Sequence, residues 1–135
     1  MKKIIFIKST IILLAVFAFA SIAAAQTPTV GRYTGIQTGT QTNFGKPAAF
    51  DLTILAGGKY EQNNETGKFS FDAKTGKIEF LSGAMPTDWV GFFYKKGDKI
   101  SSDGNAEHDT IVIRDKKDVA DGNLRDLFWY TCCAK

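Results

Sequence analysis

The stretch GGKYEQNNETGKFSFDAKTGKIEFLSG, residues 57–83, carries a beat of nine. Gly-Lys followed by an apolar residue occurs at Gly58-Lys59-Tyr60, Gly67-Lys68-Phe69 and Gly76-Lys77-Ile78. Inside the units the side chains alternate. Phe69 and Phe71 fall on one face and Lys68, Ser70 and Asp72 on the other; Ile78 and Phe80 oppose Lys77 and Glu79 in the same way. Side chains of a strand point alternately to its two faces, so this is the pattern of half-buried β-strands. The segments Asn63–Gly67 and Asp72–Gly76 between them end in Gly, which takes the positive φ of many tight turns. A strand of about five residues and a turn of about four make up the nine. The beat therefore predicts a meander of hairpins that buries Phe69, Phe71, Ile78 and Phe80. A calcium-binding β-roll shares the period, but its Gly-Gly-x-Gly-x-Asp unit is missing.

The pattern extends outward in both directions. Val30–Gln37 reads as a first strand, and Phe50, Leu52 and Ile54 alternate in a second. Trp89–Tyr94, Lys99–Ser102, Thr110–Arg114 and Leu127–Cys132 follow, the last two joined across the polar turn 115–126. Residues 38–47, 82–88 and 101–109 read as irregular, and no stretch after residue 25 has a helical period. The expectation is an all-β fold: an antiparallel up-and-down meander of about eight strands, closed into a barrel because closure removes exposed edges. An immunoglobulin sandwich would want a Cys…Trp…Cys spacing, which this chain lacks.

The chain opens MKKIIFIKSTIILLAVFAFASIAAAQ. Lys2, Lys3 and Lys8 form a basic region, an apolar run follows, and Ala23-Ala24-Ala25 supplies small residues for cleavage. This reads as a secretory signal peptide over residues 1–25, cut before Gln26. No stable membrane anchor is then expected after cleavage, and the protein is expected to be exported, periplasmic or extracellular. The remaining 26–135 form one domain. All 14 acidic residues lie in it, but three of the 17 basic ones leave with the leader, so its net charge is zero. Nucleic-acid partners usually demand a basic face, and composition offers none.

Candidate chemistry is sparse. The sole histidine, His108, sits in Asp103-Gly-Asn-Ala-Glu-His-Asp109. Oxygen ligands alternate there, but position twelve from Asp103 is Arg114 where a calcium hand needs Glu. One His does not fill a zinc enzyme site. No metal, no other cofactor and no catalytic residue is expected. The adjacent Cys132 and Cys133 leave three readings open: free thiols, an intermolecular disulfide or a bond between the neighbours. The aromatics are the strongest functional signal. Trp89, Phe92 and Tyr94, with Phe128, Trp129 and Tyr130, form two dense clusters whose members must point to both faces of their strands. These six are the candidate ligand- or partner-binding residues.

Gly31-Arg32-Tyr33, FDLTILAGGKY, GKFSFDAKTGKIEFLSG, GFFYKKGDKI and TIVIRD together span most of residues 31–115. They resemble a group of small exported bacterial lipocalin-like β-barrel proteins of unassigned activity. Tyr33 stands where lipocalins have the Trp of Gly-x-Trp. The resemblance implies that an Arg of a late strand, here Arg114, lies across that ring. The resemblance speaks to fold; it is the barrel and its two aromatic clusters that point to a binding module. Either a small apolar ligand sits inside the barrel, or exposed aromatics engage an envelope protein in a structural or inhibitor-like role. The volume left inside the barrel separates the two.

Overall fold

The structure, a computed structural model, describes residues 27–38, 46–48, 51–101, 104–123 and 125–132. Its strands are β1 (Gly31–Gln37), β2 (Lys46–Pro47), β3 (Leu52–Leu55), β4 (Lys59–Gln62), β5 (Glu65–Asp72), β6 (Lys77–Phe80) and β7 (Trp89–Tyr94). They continue with β8 (Lys99–Ser101), β9 (Gly104–Asn105), β10 (Thr110–Asp115) and β11 (Asp126–Cys132). The order around the sheet is β1-β3-β4-β5-β6-β7-β10-β11, and β11 pairs back onto β1. Every pairing is antiparallel. The chain is thus a closed eight-stranded up-and-down barrel, as the beat of nine predicts. Phe50 and Cys133 lie outside the described residues, as do residues 1–26.

Two segments read as part of the meander stand apart from it. The Lys99–Ser102 strand was expected in the sheet, yet β8 pairs only with β9, in a separate two-stranded hairpin. The polar turn 115–126 holds one helical turn, α1 (Lys116–Ala120). Five residues are too few to display a helical period. What starts the turn is the Asp115 side chain, which accepts the Lys117 N–H at 2.7 Å as an N-cap.

The β4–β5 turn is also tighter than its spacing suggests. Gln62 pairs with Glu65, so only Asn63 and Asn64 lie between the strands, at φ of 52° and 60°. Two successive left-handed residues make the hairpin turn that matches strand twist, and Asn tolerates that conformation better than most residues. Gly67 therefore lies within β5 rather than in a turn. It pairs with Tyr60 and is buried. Gly58 and Gly76 do end turns, with φ of 70° and 72°.

The inward face is as the alternation requires. Tyr33, Leu52, Ile54, Tyr60, Ile78 and Phe80 are at most 1% exposed. Met85, Phe93, Ile111, Ile113, Tyr130 and Cys132 complete the cluster, and Phe69, Phe71, Trp89 and Phe128 pack half-buried against it. Fully burying such a side chain contributes about 1.5–3 kcal/mol, and the Tyr60 and Phe80 rings meet edge-on at 5.3 Å. The three core tyrosines keep their hydroxyls paired. Tyr33 donates to the Thr29 carbonyl at 2.8 Å and Tyr60 to the Ser82 carbonyl at 2.7 Å. The Tyr130 hydroxyl accepts the Gln62 amide at 3.2 Å. Tyr60 also accepts the Met85 N–H at 2.9 Å, which draws the 81–88 loop against the barrel interior.

Candidate functional site

The two aromatic strands split their rings between the faces. Trp89 and Phe93 of β7, with Phe128 and Tyr130 of β11, pack on the core. Alternation therefore sends Phe92, Tyr94 and Trp129 outward. Of the six sequence candidates, Trp89, Phe128 and Tyr130 form an inner set. Trp89 and Phe128 are 5.3 Å apart by ring centroid, and Phe128 and Tyr130 are 6.1 Å apart. The Tyr130 ring lies over Gly35, where a Cβ would come within 2.5 Å of it. Burial pushes the Tyr130 phenol above its ordinary range. Tyr33 is raised further, by burial and then by the Asp109 carboxylate.

The outer set is organised around β10. Val112 pairs with Phe92 on one side and Trp129 on the other, and it is fully buried although it faces outward. Arg114, also outward, carries its guanidinium 5.0 Å from the Phe92 ring centroid. This corrects the expected stacking on Tyr33: that ring points inward, to the opposite face of the sheet. Arg114 Nε donates to Asp126 Oδ1 at 2.6 Å, and the Trp129 indole N–H donates to Asp126 Oδ2 at 3.0 Å. The side chains of Arg114 and Asp126 are 9% and 22% exposed. A β-bulge between Ile113 and Arg114 brings Asp126 opposite Arg114. The chain Phe92–Arg114–Asp126–Trp129 fixes the indole on the outer wall.

Next to this indole a groove of about 300 Å³ opens. Its barrel wall is Thr110, Trp129 and Thr131. Its other wall comes from the 95–109 excursion: Ile100, Ala106, Glu107 and His108, with Asn105 at the hairpin. The excursion is tied at its base. Gly97 N–H donates to the Ala106 carbonyl and Ala106 N–H to the Asp98 carbonyl, both at 2.8 Å. Asp109 accepts the Lys96 N–H at 2.9 Å and the Thr29 hydroxyl. Thr110 donates its hydroxyl to the His108 carbonyl at 2.8 Å, so that hydroxyl is aimed at a backbone acceptor and not at the imidazole. No three His, Cys, Asp or Glu side chains gather at metal distance among the described residues. Asp103, the first residue of the loop with alternating oxygen ligands, lies outside them. Cys132 is buried on the inner face and disulfide-bonded.

Sequence reasoning singled out Trp129 and His108 separately. It had no means to join them; Asn105 and Glu107 were weighed only as alternating oxygen ligands for calcium, and Ile100, Ala106 and Thr131 carried no functional signal. The one hint is length: fifteen residues separate Tyr94 from Thr110, which pair directly, far more than the two to five of a simple hairpin.

Fold and site together define a small closed β-barrel with side chains packed along its interior and an aromatic outer face beside a groove. No family model, curated protein or solved structure matches the chain.

Proposed function

We propose that the protein is an exported binding module which engages its ligand on the outer face of β7, β10 and β11. The groove beside Trp129 carries this reading, since a fixed indole and several polar side chains converge there on one concave surface. An aromatic face with convergent polar groups beside it can orient a small ligand. Export draws on the basic, apolar and Ala-rich segments of residues 1–25 and on the resemblance to small exported lipocalin-like proteins. Binding is favoured over catalysis because the polar groups at the groove make a recognition surface and the Thr110 hydroxyl there is given to a backbone carbonyl.

A native mass spectrum of protein taken from its own cell envelope, followed by hydrogen exchange with and without the co-purified molecule, tests the reading. A bound species that protects β10 and β11 is expected; protection confined to Trp89 and Phe128 would transfer the site to the barrel mouth. That second reading, an apolar ligand held at the inner set, draws on those two rings being only half-buried.

A further inference from the structure

We infer that the groove between the 95–109 excursion and β10–β11 is a site for a neutral saccharide. This rests on the outer-face reading above and names the ligand class.

The indole offers the groove an apolar face. Its N–H is already given to Asp126, and Asp126 is held by Arg114. The ring therefore presents carbon and π surface to the groove, in an orientation fixed before any ligand arrives. Sugar rings carry faces of C–H bonds, and these seat against the negative face of an aromatic ring. Much of the remaining lining, on both walls, is polar. Among the described residues the side chains of Asn105, Glu107, His108 and Thr131 have no hydrogen-bond or ion-pair partner. They supply an amide, a carboxylate, an imidazole and a hydroxyl, a mixed set of donors and acceptors that matches the hydroxyls of a sugar edge.

Charge narrows the ligand class further. Among the described residues no Lys or Arg lines the groove, so these side chains offer a phosphate or carboxylate ligand no countercharge. A purely aliphatic ligand would strip water from those polar groups and pair none of them. The volume of about 300 Å³ lies at the small end of ligand sites, which run from about 300 to 1,000 Å³; that suits one or two sugar rings rather than a long chain.

The test uses nitrogen-15-labelled protein expressed from the whole chain and purified in the form the cell leaves it. Its two tryptophans give two indole N–H signals, assigned with Trp89→Phe. Maltose and N,N′-diacetylchitobiose are titrated separately to about 10 mM, which detects binding on the order of 1 mM. A saturable shift of the Trp129 signal, with Trp89 still, is expected for at least one of them. Asn105→Ala and Glu107→Gln, both at exposed positions, should each weaken it about tenfold, equivalent to about 1.4 kcal/mol. A Trp129 signal that stays still with both sugars overturns the inference, as does a shift undiminished in both variants or one produced only by dodecanoate. If the sugars fail while the envelope-derived molecule still protects β10 and β11, the saccharide class is wrong and the outer-face reading stands. If that protection is missing too, both fall.

Discussion

Gly67 shows how much one residue's identity depends on its neighbours across the sheet. A Cβ there would meet the Ser82 carbonyl oxygen at 2.2 Å and the Tyr60 ring at 2.5 Å. Its backbone φ is not positive, so the requirement is space and not conformation. Gly57 is the opposite case: its φ is 74°, but nothing lies within 4 Å of an added Cβ. We expect Gly67→Ala to destabilise by about 3 kcal/mol or more, because backbone must move to admit the methyl. Gly57→Ala should lose only about 1 kcal/mol, from left-handed strain. Urea midpoints for the two variants check the order; equal losses would mean that Tyr60 does not rest on Gly67. The alternation of Phe69, Phe71, Ile78 and Phe80 was legible from sequence, down to which face they share. That Phe69 and Phe71 would stay half-buried while Ile78 and Phe80 close off completely was not. It depends on how the barrel wraps around them.

At the scale of elements, the β4–β5 hairpin and the β10–β11 face carry separate tests. Asn64, at φ 60°, accepts Gly without strain, since the turn type favours Asn-Gly. Asn64→Gly should leave stability within about 0.5 kcal/mol, whereas Asn64→Val should lose about 1–2 kcal/mol. Thermal melts of the pair decide it; a tolerated Val would mean a different turn. On the outer face, Asp126→Ala leaves the Arg114 guanidinium without its carboxylate and the Trp129 indole without its acceptor. Losing one member of a fully buried pair is worth about 3–5 kcal/mol. Asp126 keeps 22% of its side chain in water, so a loss of about 2–3 kcal/mol is expected. The loss should come with a changed Trp129 environment in near-ultraviolet circular dichroism. A near-neutral variant with an unchanged spectrum would show the network to be dispensable.

For the whole molecule, the three core tyrosines link stability to alkaline pH. Burial is the largest cause of the raised values at Tyr33, Tyr60 and Tyr130. Asp109 adds to it at Tyr33, Glu65 at Tyr60 and Asp51 at Tyr130. The fold thus prefers the neutral phenols, while the unfolded chain ionises its tyrosines at about pH 10. Their contribution is fully present below that point. Above it the unfolded state binds fewer protons than the folded one, so stability declines as pH rises toward the raised folded values. Unfolding free energies measured from pH 8 to 12 should be level to about pH 10 and then fall; Tyr33→Phe should flatten the fall. Export is tested at the same scale. The N-terminus recovered from the envelope fraction should be Gln26 within a residue or two, and retained Met1 would remove the exported reading.

Local spacing was enough to determine the class of fold. A period of nine with two-residue alternation admits little except short antiparallel strands, because side-chain direction in a strand depends only on position along it. Alternation likewise required the aromatics of Trp89–Tyr94 and Phe128–Tyr130 to split between two faces. Which ring went inside was decided by barrel closure. Pairing β11 with both β10 and β1 directs Tyr130 onto Gly35 and leaves Trp129 outward beside Val112. The partner of Arg114 was likewise tertiary, since the bulge after Ile113 places Asp126 opposite it and turns it toward Phe92. The groove depends wholly on tertiary structure. Ile100 and Asn105 to His108 approach Thr131 and Trp129 only because they fold back against a strand more than twenty positions away in the chain. Such a contact leaves no period, no spacing and no motif in the sequence from which it could be read.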